Sequence, residues 1–206
     1  MSFITALIYD KMLASTEEAC LMQWRRELLQ NISGHVLEIG AGTGSNLGFY
    51  PDTVKRLVLS EPDIHMRRQM EKKITSSKFD IILSAGTAEK IEAENESYDY
   101  VVSSLVCCSV SQLELALLEI RRVLKPEGQL VFMEHVAAAK GTKRRQWQNM
   151  VNPFWRKLAG NCHLNRDTES AISAAGFKIL EIKRESMRKA MPLVRPTIRG
   201  IAEKHL

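Results

Sequence analysis

Three glycines of this 206-residue chain, Gly40, Gly42 and Gly44, follow an apolar run at residues 36–39. The run is typical of a buried strand, and a helix is predicted to begin near Ser45. Because glycine has no Cβ, such a turn bends sharply and lets the backbone approach a ligand closely. The N–H groups at the start of the following helix are unpaired and attract an anion. The segment therefore predicts a site for a small anionic ligand.

An acidic residue, Glu61, ends the next apolar run, 21 residues after Gly40. A carboxylate at this point accepts hydrogen bonds from both hydroxyls of a ribose and repels a 2′-phosphate. The nicotinamide fingerprint requires a third glycine where this chain has Ser45. These features favour an adenosyl ligand without a pyrophosphate. In S-adenosylmethionine (SAM), the carboxylate of the methionine half is the anion that suits the glycine turn.

A polar loop at residues 84–89 follows the third predicted strand. It is placed to cover an adenine and to meet its exocyclic amine. A plain surface turn is the alternative interpretation of the same residues.

If the ligand is SAM, the molecule that accepts its methyl group would bind at the carboxyl ends of the other strands, because ligands of open α/β sheets lie there. His135 ends the fifth predicted strand. Since an imidazole has an ordinary pKa of about 6.5, it is the best candidate to take a proton, with packing at the strand end as the alternative. Cys107 and Cys108 follow the fourth strand and either contact the acceptor or fill the core. His163, in a later loop, faces either the acceptor or the surface.

The four cysteines predict no metal site. Two of them are adjacent and the other two stand alone, which is not the spacing of metal ligands. Reduced thiols in a cytoplasmic protein are the expectation.

Short apolar runs alternate with amphipathic stretches, which predicts an α/β fold with a mainly parallel sheet. Strands are predicted at 35–39, 56–60, 79–84, 98–103, 129–135, 177–185 and 196–203. Helices are predicted at 16–30, 62–74, 113–124, 142–158 and 167–175, with a turn at 125–128. The last two strands are expected to form an antiparallel, hairpin-like edge.

The whole chain, 1–206, is predicted to be one domain. Residues 1–32 would form a helical lid, and 137–166 a helical insertion over the acceptor pocket. Trp147, Phe154 and Trp155 of the insertion are expected to roof that pocket, to pack in the core, or both. No apolar run approaches the roughly 20 residues that cross a bilayer, and residues 1–10 lack the features of a signal peptide.

Charge is unevenly distributed along the chain, whose formal net charge is +5. Residues 1–100 carry 11 basic and 15 acidic side chains, whereas residues 101–206 carry 18 and 9. A solvated basic face is the simpler interpretation, and attraction to an anionic membrane or acidic substrate is the alternative. No aromatic-studded RNA-binding strand accompanies the charge, so no nucleic-acid partner is expected.

In the order of its motifs the chain resembles the class I SAM-dependent methyltransferases. The motifs that carry this resemblance are residues 36–44, Glu61, 86–89, 98–110 and 124–128. Within that superfamily, four further segments are similar to the methyltransferase-like 7 group of thiol methyltransferases and their bacterial relatives: 103–110, 132–136, 161–166 and 193–196. The resemblance implies a Rossmann-like, seven-stranded, mostly parallel sheet with helices on both faces and an antiparallel last strand.

The resemblance also implies a set of binding residues. The glycines would surround the methionine moiety, Glu61 would bind the ribose, and Tyr9 would belong to a segment that closes over the cofactor. Contacts to SAM or its product S-adenosylhomocysteine are expected at Tyr9, Glu38, Gly40, Ala41, Gly42, Thr43, Gly44, Asn46, Glu61, Pro62, Met66, Thr87, Ala88, Glu89, Ser104 and Leu105. The expected acceptor pocket comprises Cys107, Cys108, His135, Trp147 and His163.

The leading hypothesis is transfer of the SAM methyl group to a small lipophilic acceptor, with a thiol suggested by the resemblance. Displacement at a sulfonium methyl depends mainly on positioning, and a base is required only when the acceptor must lose a proton. One alternative is methylation of a phospholipid or quinone at a membrane surface, and another is a SAM-binding regulatory protein without turnover. A monomer or homodimer in the cytoplasm is expected, with peripheral membrane contact as the alternative.

Overall fold

The computed structural model describes residues 10–11, 13–74 and 80–205. Its strands are β1 (Gly34–Ile39), β2 (Val54–Ser60), β3 (Asp80–Ser84), β4 (Tyr98–Ser104), β5 (Leu124–His135), β6 (Phe177–Ser186) and β7 (Pro196–Lys204). Its α-helices include α1 (Met22–Leu29), α2 (Ile64–Ile74), α3 (Leu113–Val123), α4 (Lys143–Leu158) and α5 (Thr168–Ala174). A π-helical turn, Glu17–Leu21, leads directly into α1.

The seven strands form one sheet in the order β3-β2-β1-β4-β5-β7-β6. The pairs β1–β2, β2–β3, β1–β4 and β4–β5 are parallel, whereas β7 is antiparallel to both β5 and β6. Short connections suffice for antiparallel neighbours, and parallel neighbours need crossovers. These crossovers carry α2 between β2 and β3, and α3 between β4 and β5. The predicted Rossmann-like sheet with an antiparallel last strand is confirmed.

Helices cover both faces of this sheet, because successive strand residues point to opposite sides. On one face, Val36 packs with Leu29 of α1 and Met70 of α2. On the other, Leu37 packs in a larger cluster with residues of α3 and α5, such as Ile120 and Ile172. Because β1 to β5 are parallel, their carboxyl ends all lie at the same edge of the sheet, and the glycine turn is at this edge.

The helix predicted near Ser45 is wrong. The chain after Gly44 makes turns and a single 3₁₀ turn, Leu47–Phe49, before reaching Pro51. Gly44 has φ +80, and the residue before a proline is driven into extended backbone, as Tyr50 shows with ψ 129. An α-helix has no room between these two interruptions.

The separate turn predicted at 125–128 is also corrected. Strand β5 begins at Leu124, immediately where α3 ends. Its pairing with β4 jumps from Tyr98–Leu124 to Tyr100–Gln129. The proline and glycine of this segment therefore bulge out of the sheet ladder and do not terminate the strand.

Helix α4 carries most of the predicted insertion and exposes a row of large apolar side chains. Trp147, Met150, Phe154 and Leu158 are 56, 60, 72 and 83% exposed. Trp147 and Phe154 therefore face solvent, and the expectation that they pack in the core is wrong, whereas Trp155 is partly buried. The role of these side chains as a pocket roof stays a prediction. Within the described part of the chain, no helix combines the length and hydropathy that crossing a bilayer requires.

Candidate cofactor and acceptor site

The glycine turn after β1 is built from backbone that side chains rarely adopt. Gly40, Gly42 and Gly44 have φ values of +55, +59 and +80. A Cβ on Gly40 would lie 2.6 Å from a methyl of Val106, so this glycine lets the loop after β4 come close. A Cβ on Gly42 would meet nothing nearer than the carbonyl of Gly40 at 3.9 Å. The turn therefore offers an open cradle at Gly42, bounded by backbone.

Glu61 lies beside this cradle with its side chain buried. Its Oε2 accepts the N–H of Gly42 at 2.9 Å, and its Oε1 accepts the N–H of Asp63 at 2.8 Å. Burial raises the pKa of this carboxyl above its ordinary value. Because each carboxylate oxygen accepts more than one hydrogen bond, both remain able to receive a ribose hydroxyl. The residues present therefore fit the adenosyl group that the sequence predicts.

A network of hydrogen bonds between buried polar side chains stabilises the glycine turn. Asn46 donates from Nδ2 to Glu38 Oε1 at 2.9 Å and to Ser104 Oγ at 3.2 Å. Tyr50 donates its hydroxyl to the other oxygen of Glu38 at 2.6 Å. Arg25, on α1, donates to Asn46 Oδ1 at 2.6 Å. Sequence reasoning missed Arg25, because only the folded chain brings α1 close to the turn. It also missed Tyr50, which follows the 3₁₀ turn and reaches back 12 residues to Glu38.

Arg25 also forms an ion pair with Glu17 at 2.8 Å. The N-terminal helical segment is thereby tied to the base of the predicted cofactor site. Its role as a lid stays a prediction.

We expect Glu38 to make the stability of the protein depend on pH. Burial raises the pKa of its carboxyl from 4.5 to about 7. Between these values the folded state holds a proton that the unfolded state has lost, so this stabilisation is complete below pH 4.5 and is lost as the pH rises through 7. The loss is at most about 3 kcal/mol. Urea unfolding of the wild type and of Glu38→Gln at several pH values tests this. The difference between their free energies of unfolding should change with pH by this amount.

The matched control is Glu94→Gln, which removes an exposed carboxyl. Its free energy of unfolding should differ from that of the wild type by the same amount at every pH. A pH-independent difference for Glu38→Gln would contradict the assigned burial effect.

Other predicted cofactor residues surround the cradle. Thr43 donates its hydroxyl to Asp10 at 2.6 Å, while Ala41 and Met66 are buried. Of the adenine-loop residues, Ala88 is buried and Thr87 is exposed. Pro62 is exposed, and Tyr9 lies outside the described residues. The contacts of these residues with SAM stay predictions.

Glu89 makes a structural contact that the sequence did not reveal. Its Oε1 accepts the N–H groups of Ser111 and Gln112, at 2.7 and 3.3 Å, just before α3 begins. A carboxylate in this position satisfies unpaired donors and stabilises the positive end of the helix.

The chain leaves β4 through a strained residue. Leu105 has φ +62, which is unfavourable for a side chain bearing a Cβ. Its N–H donates to the carbonyl of Met133 on β5 at 2.7 Å, which helps to hold this conformation. Strained residues of this kind concentrate at functional sites.

Beyond Leu105, the loop after β4 is held against the loop after α4. Arg166 donates to the carbonyls of Cys107 and Val110 at 2.6 and 2.7 Å. The N–H of His163 donates to the carbonyl of Cys108 at 2.7 Å. These bonds join two segments more than 50 residues apart in sequence.

The joined loops bring Cys108 and Cys162 beside His135. One sulfur or nitrogen atom from each residue lies within 4.8 Å of the others, and Cys162 Sγ is 3.8 Å from His135 Nδ1. Cys108 and His135 are buried, and Cys162 is partly buried. Nε2 of His135 is buried without a hydrogen-bond partner among the described residues. Cys162 was not among the predicted site residues, since nothing in its local sequence places it near His135.

The thiols of this cluster have opposite pKa shifts. The Cys108 thiol, as a hydrogen-bond donor, and neighbouring His135 lower the pKa of Cys162 to about 4. The same thiol–thiol interaction, together with burial, raises the pKa of Cys108 well above its usual range. Burial, helped by Arg166, lowers the pKa of His163 to about 4. The cluster thus favours one thiolate, on Cys162, next to a neutral His163.

Cys107 points into the hydrophobic core and not into the cluster. Its Sγ lies 3.3 Å from the hydroxyl of Ser103, which donates to Glu134 at 2.6 Å. Burial raises the pKa of the Glu134 carboxyl. Glu134 also accepts the N–H of Val106 at 3.2 Å, so this buried carboxyl positions the loop that leads to Cys108.

The fold and this site define a Rossmann-like enzyme of the SAM-dependent methyltransferase class. The methyltransferase-domain family matches residues 37–132. Thiol S-methyltransferase TMT1A of Homo sapiens is 34% identical over 209 residues, covering 96% of this chain and 82% of the human protein. The chain belongs to the family of these thiol S-methyltransferases and uses SAM as its methyl donor.

Solved structures agree on the fold. The [4+2]-cyclase SpnF has a TM-score of 0.73 at 18% identity, covering 90% of this chain and 80% of its own. A SAM-dependent methyltransferase from Thermotoga maritima, described as a possible histamine N-methyltransferase, has a TM-score of 0.65 at 20% identity, and the match covers 96% of this chain and 94% of the Thermotoga chain. A cyclase and a methyltransferase share this fold, so the fold alone does not identify the reaction. The methyl acceptor must therefore be inferred from the residues of the site.

Proposed function

We propose that this enzyme methylates the sulfur of a small lipophilic thiol. The observation that carries the proposal is the group of Cys108, His135 and Cys162 at the carboxyl ends of β4 and β5. Val106 lies against Gly40 of the glycine turn and precedes Cys108 by two residues, so this group adjoins the cofactor cradle. The human relative is a thiol S-methyltransferase, which supports a sulfur acceptor.

The residues around the cradle would bind the cofactor by its two halves. The backbone of the glycine turn would hold the methionine half, and Glu61 would hold the ribose hydroxyls. Bound SAM supplies a methyl group on a sulfonium, which needs no further activation. The remaining task of the chain is to hold the acceptor sulfur in line with that methyl group and to exclude water.

His135 would prepare the acceptor, because a thiolate attacks far more readily than a thiol. Its Nε2, which has no hydrogen-bond partner among the described residues, would take the thiol proton, which then passes to solvent. Cys162, 3.8 Å from Nδ1, stabilises the resulting imidazolium when it carries a negative charge. A phenol or an amine holds its proton more tightly, so this arrangement favours a sulfur acceptor.

A competitive acceptor panel tests the proposed function. Purified protein with SAM is offered an alkyl thiol, the matching alcohol and the matching amine, and formation of the methylated product and S-adenosylhomocysteine is measured. We expect the thiol to be methylated at least 100-fold faster than the other two. Methylation of the alcohol or amine at equal rate would overturn the sulfur assignment. SAM binding with no turnover of any acceptor would instead favour a regulatory SAM-binding protein.

We further propose that α4 touches a membrane surface, in a cytoplasmic protein that associates peripherally. Its exposed apolar residues recur every three or four positions from Trp147 to Leu158, as on one face of a helix. Basic residues flank them at both ends, and residues 137–166 contain no acidic side chain. A basic helix with a bare apolar face suits an anionic lipid interface. A membrane-dissolved acceptor would reach the enzyme from this side.

Co-sedimentation with vesicles tests this contact. The wild type should bind vesicles containing anionic lipid and be released by salt, because part of the attraction is electrostatic. The double variant Phe154→Ser, Leu158→Ser should lose most of this binding. Leu115→Ser, Leu118→Ser, which removes exposed leucines from α3, is the matched control and should bind as the wild type does. No binding by the wild type would refute the membrane contact.

A further inference from the structure

We propose that Cys108, His135 and Cys162 form a binding site for a thiophilic divalent metal ion, with Zn²⁺ as the best-fitting ion. The site would supply three protein ligands and leave one coordination position open. This inference concerns the cluster itself and does not depend on which acceptor the enzyme methylates.

The geometry of the cluster is close to that of a metal site. The three ligand atoms lie within 4.8 Å of one another, and the Cys162 Sγ to His135 Nδ1 distance is 3.8 Å. Zinc bonds of about 2.3 Å to sulfur and about 2.0 Å to nitrogen place tetrahedral ligand atoms roughly 3.5 to 3.8 Å apart. Closing the cluster around an ion therefore needs shifts of about 1 Å or less.

The ligands come from three segments that the fold holds independently. His135 ends β5, whose pairing with β7 continues to this residue. Cys108 follows β4 in the loop that Arg166 fastens through the carbonyls of Cys107 and Val110. Cys162 follows Asn161, whose side chain donates to the carbonyl of Ser109 at 2.8 Å. A preformed site of this kind loses little entropy when it takes up an ion.

Among the described residues, the main contacts of the ligand atoms are with one another: the Cys108 thiol donates to Cys162, whose Sγ lies 3.8 Å from His135 Nδ1. The Nε2 atom of His135 has no hydrogen bond among the described residues, so the ring is not fixed by another group. Cys108 Sγ contacts the carbonyl of Leu105 and the hydroxyl of Ser109 at 3.4 Å each, both weak interactions for a thiol. An ion would therefore replace contacts within the cluster, and it would break no other strong hydrogen bond that the described residues make to these atoms.

The ligand types identify the ion. Two sulfurs and one imidazole suit zinc, whereas calcium and magnesium prefer oxygen. Three protein ligands with an open position are typical of catalytic zinc, and structural zinc sites have four. The open position would take a fourth ligand from solution.

The fourth ligand would be the acceptor thiol, and this step alone rests on the proposed function. A thiol loses its proton when it coordinates zinc. The proton leaves to solvent, the sulfur keeps its electron pair, and the zinc–sulfur bond replaces a zinc–water bond. With the ion bound, His135 acts as a ligand, and the ion takes over the activation of the thiol.

Titration of the reduced, full-length protein with Co²⁺ tests the site. We expect one equivalent to bind, with a thiolate-to-cobalt charge-transfer band and the visible bands of tetrahedral cobalt. Addition of Zn²⁺ should abolish both. Cys108→Ser, Cys162→Ser and His135→Gln should each lose or strongly weaken the signal, and Cys20→Ser, at a buried cysteine in a separate cluster, should keep it. A wild type without the charge-transfer band, or a band that survives in Cys162→Ser, would overturn the proposal.

A measurement on the wild type alone guards against variants that fail to fold. Zn²⁺ should protect Cys162 and Cys108 from alkylation, as read by peptide mass spectrometry. Unchanged alkylation with zinc would overturn the proposal. So would a Cys108–Cys162 disulfide that forms at the same rate with and without zinc when a thiol oxidant such as diamide is added to accept the two electrons.

The proposal of a metal site and the proposal of a thiol acceptor can be refuted independently of each other. An alkyl thiol added to the cobalt protein without SAM should shift the visible bands, because it replaces the fourth ligand. Unchanged bands would refute the thiol at the open position. Thiol methylation by a protein that binds no cobalt would refute the metal site and leave the proposed function intact.

Discussion

Replacing Glu61 by alanine is expected to weaken SAM binding about 100- to 10 000-fold. Hydrogen bonds to a charged group contribute about 1.5 to 3 kcal/mol each, and the variant removes the acceptor for two ribose hydroxyls. The carboxylate is already positioned by the N–H groups of Gly42 and Asp63, so the wild type spends little free energy in ordering it. Calorimetric titration with SAM and with S-adenosylhomocysteine measures the loss, which should be similar for both.

Two controls separate the ribose contact from general damage. Glu71→Ala removes an exposed carboxyl on α2 and should leave the affinity unchanged. Glu61→Gln keeps the size of the side chain and should bind SAM better than Glu61→Ala, since its amide oxygen still accepts one hydrogen bond. Urea unfolding without ligand reports how much stability is lost with the two backbone contacts. If Glu61→Ala, while folded, bound SAM as tightly as the wild type does, the ribose assignment would be wrong.

Replacing His135 by glutamine is expected to lower kcat/KM for an alkyl thiol about 100- to 1000-fold. Removal of a group that promotes proton loss typically costs this much. The defect should shrink to about tenfold or less for an acidic aromatic thiol, because that acceptor is already ionised at neutral pH. SAM affinity should stay near the wild-type value, since His135 lies on the acceptor side of the site. Steady-state kinetics with the two thiols, at several pH values, measure the difference.

His35→Gln serves as the matched control for this variant. His35 is exposed near the start of β1, at the opposite end of the strand from the glycine turn. Its kinetics should be those of the wild type. An equal defect of His135→Gln toward both thiols would show that the residue acts by positioning and not by promoting proton loss.

The glycine turn and the strands that flank it could be predicted because their signals are local, and the contacts to the cofactor stay predictions. The glycine turn directly follows the strand that positions it, and Glu61 ends the next strand in parallel register, with Ile39 opposite Ser60. Strands buried on both faces are apolar throughout, so their number and type could be predicted from residue patterns. The helix predicted near Ser45 does not form, because the left-handed Gly44 and the restriction before Pro51 leave room for one 3₁₀ turn only.

The acceptor half could not be predicted in the same way. Cys162 lies 27 residues from His135, and its partner Cys108 belongs to another loop. Their meeting depends on Arg166 and Asn161 binding the carbonyls of the loop after β4. No spacing rule detects three ligands from three separate segments, so the sequence predicted no metal site.

The sequence by itself therefore determined the sheet, the glycine turn and the acid that ends β2, since each follows from periodicity and spacing over a few residues. Only the tertiary structure decided which side chains share a pocket and which face solvent. It placed Arg25 beneath the cofactor turn, assembled Cys108, His135 and Cys162, and exposed the apolar face of α4. The physical reason is that contacts between distant segments depend on how the sheet and its connecting loops pack in three dimensions, and local sequence carries no record of that packing.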